Sequence, residues 1–240
     1  SLFAMIIIKF QRLINKILRE IFGFSLITNK ALVTYTRENP YDRRAYIIKQ
    51  LLKKKVVIIE VGAWEGHLSS FLLENLTNIQ ALYLVEPIKE KIIFLKNKFR
   101  TEKRIFYHNI ALTNDKKLNH LYVMKESQLS SLFKPKNLPS KSSYSLQKIK
   151  NLSGLKFSNI IRHNIDVLFL NTQGSEFDII KSFKHKIKQV KIIFIEFDIK
   201  KRYSNKEELS DIFAFFESKD FFLFDITQIK NKKNSLYRIN

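Results

Sequence analysis

Residues 56–70, VVIIEVGAWEGHLSS, set a carboxylate, Glu60, at the end of an apolar run and follow it with glycines at 62 and 66. An apolar run that stops at a glycine is the pattern of a buried strand turning into a helix, and the amides of such a turn can face a ligand. The spacing is E-x-G-x-x-x-G. A dinucleotide fingerprint reads G-x-G-x-x-G, and Trp64 stands where its middle glycine would let the backbone approach a pyrophosphate. Glu60 is expected to point an anion at the ligand, which disfavours a pyrophosphate and suits a cation with an amino-acid end. S-adenosylmethionine, a sulfonium and an ammonium carried on adenosine, has that chemistry. Glu86 closes LYLVE 24 residues beyond Gly62, where a carboxylate can accept from both ribose hydroxyls. Dehydrogenases use the same device, so Glu86 marks a ribose without choosing the cofactor. The two glycines also suit a tight turn with no ligand, and Trp64 suits packing at the sheet mouth as well as a cofactor contact.

A second group of reactive side chains follows later in the chain. NTQGSE (171–176) and EFD (196–198) each come directly after an apolar run. Methyl transfer from a sulfonium demands alignment, and a hydroxyl acceptor must also lose a proton to a nearby base. Glu176, Glu196, Asp198 and His67 are the candidates for that base. Glu176 opens a helix, where an acid also complements the macrodipole without any chemistry. Glu196 ends KIIFIE, where an unpaired charge would be expensive to bury, so it faces a cleft or has a partner. Asn171 can hydrogen-bond to cofactor or substrate but cannot serve as a base. The five histidines have no metal-binding spacing, and no metal is expected.

These residues need a sheet to bring them together. Strands are predicted over 56–61, 82–86, 104–111, 118–124, 165–170, 191–197, 221–226 and 235–239, and helices over 66–76, 88–99, 175–187 and 206–218. The near-continuous apolar runs VVII, DVLFL and KIIFIEF are those of parallel strands buried on both faces. Their alternation with helices predicts a three-layer α/β domain with a mostly parallel sheet. Glu60, Glu86, HNIAL, NTQGSE and EFD then all fall at the carboxyl ends of strands, where such sheets bind ligands. The segment 126–164, rich in Ser, Lys and Pro, interrupts the rhythm and reads as a long insertion, either a lid carrying specificity or a solvated loop.

IIEVGAWEGHLSSFL, LYLVEPIKEKIIFLKNKF, FYHNIALTN, LYV, SSLF, IDVLFLNTQGSEFDIIKSF and IIFIEF occur in an order that resembles the FkbM family of S-adenosylmethionine-dependent methyltransferases, over roughly 40–240. The resemblance implies a class I methyltransferase fold, a Rossmann-like three-layer sandwich with a seven-stranded sheet. It implies O-methylation of a small-molecule hydroxyl, typically on a polyketide or a sugar. The cofactor would be held by Glu60, Gly62, Ala63, Trp64 and Gly66 at the turn, by Glu86 at the ribose, by Asn109 and Ala111 on the adenine side, and by Asn171. The family's Q-G-x-E matches Gln173, Gly174 and Glu176. Where the family commonly shows K-I-D or N-I-D, this chain has Phe169, Leu170 and Asn171, so an ionisable group is replaced by an amide.

The bulk composition bounds the partners. With no Cys among 240 residues, a thiol nucleophile, a disulfide framework and a cysteine metal site are excluded. A net charge of +21 attracts nucleic acid phosphates or anionic lipid, although the lysines are scattered along the whole chain. Residues 1–27 set Ile6, Phe10, Leu13, Ile14, Ile17, Leu18 and Ile21 on one helical face, with Lys9, Arg12, Lys16 and Arg19 largely off it. This pattern predicts a basic amphipathic helix, suited to an anionic membrane surface or to packing on protein. The expected organisation is therefore 1–27 as this helix and 28–240 as the methyltransferase domain, cytoplasmic or peripheral at the inner face of a membrane. Two rivals to the glycan or small-molecule O-methyltransferase are an RNA or cap methyltransferase and a degenerate, non-enzymatic binding module.

Overall fold

The computed structural model describes residues 40–115, 117–125, 129–136, 143–198, 209–225, 228–230 and 237–239. The chain divides into two compact units, Ser1–Arg43 and Arg44–Asn240, and the sheet and site below belong to the second. The amphipathic segment 1–27 lies outside the described residues.

Helix α1 (Pro40–Leu51) leads into strand β1 (Val56–Val61), whose six residues are all buried. Helix α2 (His67–Asn75), strand β2 (Ile79–Val85), helix α3 (Lys89–Lys98) and strand β3 (Ile105–His108) follow. The chain later returns to the other side of β1 with β8 (Val167–Leu170) and β9 (Ile192–Ile195). The resulting sheet is parallel throughout and ordered β3-β2-β1-β8-β9. Chain direction around the sheet therefore reverses between β1 and β8, and a crevice opens beyond their carboxyl ends.

Side-chain alternation divides the core into two faces. Val57, Ile59, Val61, Tyr83, Leu168 and Leu170 pack on one side with Phe157, Ile179 and Ile180. Phe157 belongs to helix α4 (Gly154–Ile160), and the two isoleucines to helix α5 (Glu176–Ser182). The alternate residues, Ile58, Glu60, Leu82 and Leu84, are buried on the opposite side. There Ser69 of α2 donates its hydroxyl to Glu60 Oε2, and Arg44 of α1 acts electrostatically on the same carboxylate. Helices on both faces make the three-layer α/β sandwich that the sequence predicts.

Among the described residues the parallel sheet has five strands, and the seven that the resemblance implies are not all seen. Past Glu196 the chain continues into β10 (Phe197–Asp198), which belongs to a separate antiparallel sheet ordered β10-β12-β11, with β11 at Gln228–Lys230 and β12 at Tyr237–Ile239. Of the strand predicted at 221–226, the described residues 221–225 have no regular structure, and Phe222 is 80% exposed. High β-propensity without a neighbouring strand does not make a ladder. The strand predicted over 104–111 is broken into β3 and β4 (Ala111–Leu112). Between them Asn109 turns its amide to the carbonyls of Glu86 and Pro87.

The described part of 126–164 has regular elements. It contains β6 (Tyr144–Lys148), antiparallel to β5 (His120–Met124), then β7 (Asn151–Leu152) beside β4, then α4. Strand β6 is largely exposed and polar, so it lacks the apolar alternation by which strands are read. The predicted helix at 175–187 divides at Lys184, whose φ of +53° ends α5 and starts a 3-10 turn over Lys184–Gln189.

Burial raises the Glu60 carboxyl to about 7, against the smaller opposing effects of the Ser69 hydroxyl and Arg44. An acid whose pKa rises on folding gives a stability contribution that is complete below its unfolded value near 4.5 and lost as pH climbs through 7. The melting temperature is therefore expected to fall between pH 5.5 and 8.5, and to fall less in Glu60→Gln, as thermal scans across that range would show. An equal fall in the variant would remove Glu60 from the account.

Candidate active site

The turn after β1 is built by sterics. Gly62 has φ +82°, and a Cβ there would stand 2.1 Å from the Asn171 carbonyl oxygen. Only glycine lets β1 and β8 end this close together. At Gly66, φ +66°, a Cβ would meet Leu95 and Phe99 of the α3 region at 2.7 Å. Its role is thus to seat α2 against α3. Between them Trp64 is also left-handed, with φ +46°, and its amide donates to Glu86 Oε2 at 2.9 Å.

Glu86 lies at the carboxyl end of β2 and is 4% exposed. Oε1 accepts from the Ile88 amide at 2.9 Å, so each carboxylate oxygen holds one backbone donor. Each retains acceptor capacity for a further donor, which is what a ribose diol offers. Burial pushes this carboxyl up to about 7, partly countered by the two amides and by Lys91. Asn109 does not line the pocket; its Nδ2 donates to the Glu86 and Pro87 carbonyls at 3.0 and 2.9 Å, which fixes the bend that presents Glu86.

A pocket opens above β1 and β8. Gly62, Trp64, Glu86, Ala111 and Asn171 all line it, so five of the residues singled out in the sequence come together. Ile88, Ile110, Leu121 and Leu132 give it an apolar side, as a purine ring requires. Ser130, Thr172 and Ser175 join Asn171 at a polar side. Thr172 lines the pocket, and its Oγ1 is buried without a partner among the described residues. A carboxylate with acceptor capacity for a ribose, an apolar slot, and hydroxyls with an amide beyond it together fit a nucleoside with a polar tail.

Other expected residues lie elsewhere. Glu60 faces Ser69 on the opposite side of the sheet and does not line the pocket. Ala63 and Gly66 shape the turn from behind, through the Gly66 amide on the Ala63 carbonyl at 2.7 Å. Glu176 is 3% exposed, and its two oxygens accept from the Thr172 and Gly174 amides, both at 2.8 Å. It ties down the 171–176 loop, and burial raises its carboxyl to about 7. Glu196 is half-buried between β9 and β10, with its amide on the Leu170 carbonyl at 3.0 Å. His67 is exposed and lies 3.6 Å from Glu65. The side chain of Asp198 is outside the described residues. Among the described residues no cluster of three or more His, Asp or Glu is placed to hold a metal.

Sequence reasoning had not assigned Ile88, Leu132, Thr172, Ser175 or Ile179 to the pocket. Ser130 and Leu132 fall in the SSLF block, which the sequence marked by its place in the family order and by its position in the 126–164 segment read as a lid or a solvated loop.

The FkbM methyltransferase domain matches residues 60–223, about two thirds of the chain. Among solved structures, the chain is similar to the FkbM methyltransferase from Methylobacillus flagellatus KT, with 15% identity and a TM-score of 0.51 over 84% of this chain. It spans about half, 47%, of that relative's length. A more remote likeness is to TrmK of M. capricolum, solved with S-adenosylhomocysteine, with 13% identity, a TM-score of 0.47, and coverage of 82% of this chain and 65% of that one. No curated protein matches. The domain match accounts for the glycine turn, Glu86 and the 171–176 loop in a single assignment: the chain belongs to the FkbM family of S-adenosylmethionine-dependent methyltransferases.

Proposed function

We propose that the chain transfers a methyl group from S-adenosylmethionine to a hydroxyl of a glycan or another small hydroxylated molecule. The observation that carries this reading is Glu86, a buried carboxylate held by the Trp64 and Ile88 amides beside an apolar slot. In this reading Glu86 takes the ribose, Ile88 and Ile110 flank the adenine, and Gly62, Asn171 and Thr172 bound the methionine end. When bound, the donor supplies an electrophilic methyl; the chain's own part is to align the acceptor oxygen with it and to exclude water.

The polar side of the pocket supports a neutral, hydroxylated acceptor. In this reading Asn171 and Thr172 serve the donor, and the Ser130 hydroxyl at the wall can both donate to and accept from a polyol. The basic surplus instead lies outside the pocket wall and includes residues 1–27, which would bring the site to anionic lipid. Among the described residues no helix is long and apolar enough to cross a membrane. The net charge of +21 also favours RNA as the acceptor, the second reading. Salt-sensitive RNA binding at micromolar affinity or tighter would move the proposal there. A third, non-enzymatic reading takes its support from Asn171, and donor binding without turnover on a panel of hydroxylated glycans would favour it.

Calorimetric titration tests the donor site: saturable binding of S-adenosylmethionine is expected, NAD should fail to reproduce it, and Glu86→Ala should weaken it about 10-fold or more, the worth of one or two hydrogen bonds to a charged group. Binding of NAD in preference would overturn the assignment. A ribose and a cationic donor both favour ionised Glu86, whose carboxyl is raised to about 7. Affinity should therefore rise from pH 6 to pH 8, and Glu86→Gln should flatten that rise. Co-sedimentation with anionic vesicles should be lost on deletion of residues 1–27, and equal sedimentation without them would remove the membrane from the proposal.

A further inference from the structure

Residues 129–133, between β5 and β6, form a strap along the pocket, to which Ser130 and Leu132 contribute. Ser131 exchanges backbone hydrogen bonds with Tyr122 of β5, at 2.8 and 3.1 Å, and Ser130 Oγ accepts from the Met124 amide at 3.1 Å. Ser130 and Leu132 line the pocket, and Leu132 packs in a buried cluster with Ile88, Ala111 and Leu121 on the apolar side. Ser131, between them, turns away and is 1% exposed.

Its hydroxyl is engaged twice. Ser131 Oγ donates to the Gln173 carbonyl at 2.7 Å, 42 residues away in sequence, and accepts from the Phe133 amide at 3.1 Å. Gln173 sits in a left-handed conformation, φ +58°, that a side-chain-bearing residue seldom adopts without support. Its Nε2 is 2.8 Å from Asn171 Oδ1. Asn171 lines the pocket, and its carbonyl is the atom against which Gly62 packs. Two further amides of this loop, Thr172 and Gly174, are already tied to Glu176. The unusual turn at Gln173 is thus held from the helix side by Glu176 and from the strap side by Ser131.

We infer that Ser131 is a positioning residue of the methyl-transfer site: acting through Gln173, it sets the orientation of the Asn171 side chain and fixes the strap's pocket wall to the loop wall opposite. Ser131 touches neither donor nor acceptor in this assignment. A relay of two hydrogen bonds, Ser131 to the Gln173 carbonyl and the Gln173 side chain to Asn171, carries its effect into the pocket. The inference rests on the donor-site reading above, and it adds that the 129–133 strap is part of the site's geometry.

Trp64 lies on the pocket wall and is the one tryptophan of the chain, so its fluorescence reports occupancy directly. With S-adenosylmethionine and S-adenosylhomocysteine as probes, Ser131→Ala is expected to raise Kd about 10-fold, the equivalent of one net hydrogen bond. Gln173→Gly keeps the carbonyl that Ser131 uses and relieves the left-handed backbone, but removes the contact to Asn171. It should weaken binding to a similar degree while melting no lower than wild type. Adding Ser131→Ala to Asn171→Ala should weaken binding no further than Asn171→Ala alone, because the two act in one chain. Additive losses in that pair, or wild-type affinity in a normally melting Gln173→Gly, would overturn the relay while leaving the donor site standing. Failure of the wild-type chain to bind either probe would overturn both.

Discussion

The end of β1 and the end of β8 meet at one point of backbone contact, Gly62 against the carbonyl of Asn171, and the rest of the site follows from it. A Cβ at position 62 would lie 2.1 Å from that oxygen, well inside any tolerable contact. The close approach lets the Asn171 amide continue the ladder to the Val61 carbonyl at 3.1 Å, while the Gly62 amide swings to the Val85 carbonyl of β2 at 2.9 Å. Three adjacent strands are thereby locked at their carboxyl ends. Trp64, Glu86 and Asn171 are the side chains those three ends deliver to the pocket. Larger residues at 62 would have to part β1 from β8, and the pocket floor would go with them.

Around that floor the fold places three buried glutamates, Glu60, Glu86 and Glu176, and each carboxyl is raised to about 7 by loss of solvent. Burying a carboxylate is costly unless hydrogen bonds compensate, and each of the three is compensated differently. Glu60 has a side-chain hydroxyl, whereas Glu86 has two amides from two different elements and Glu176 has two amides from its own loop. The differences sort their roles. Glu176 spends both oxygens on one short loop and makes it rigid. Glu86 joins the glycine turn to the start of α3 and still faces the pocket, so the charge that organises the two turns is also the charge a ribose would meet. Glu60 braces α2 on the far side of the sheet, close enough to Glu86 for their charges to oppose one another.

Much of this arrangement was legible in the sequence, and the reasons are local. Strands β1, β2 and β8 announce themselves because they are buried on both faces, and the residues at their ends were found because a parallel sheet collects its carboxyl ends. Glu86 needed only its place after LYLV. What escaped was what depends on partners far along the chain. Strand β6 is polar and exposed, and its existence rests on pairing with β5. The SSLF block gave no chemical reason for its composition until Ser131 was seen on the Gln173 carbonyl, 42 residues away. Glu60 was assigned to the ligand because its distance from the turn was right. Side-chain alternation puts it on the other face: in β1 the pocket-side face is that of Val57, Ile59 and Val61, and Glu60 falls between the last two.

The glycines teach a related lesson about what a motif encodes. The sequence left Gly62 and Gly66 two tasks, holding a cofactor or making a tight strand-to-helix turn. In the structure the space of each missing side chain is claimed by protein, by the Asn171 carbonyl in one case and by Leu95 and Phe99 in the other. The pattern E-x-G-x-x-x-G therefore describes how a strand, its neighbour and two helices fit together, and any ligand with a ribose can exploit that fit. Discrimination among such ligands must come from groups that the pattern does not specify. In the proposed reading those are Trp64, which stands at the position of the dinucleotide motif's middle glycine, and Ser130, Asn171 and Thr172, which also line the pocket. The sequence identifies the frame through its glycines and the chemistry through the residues between and beyond them.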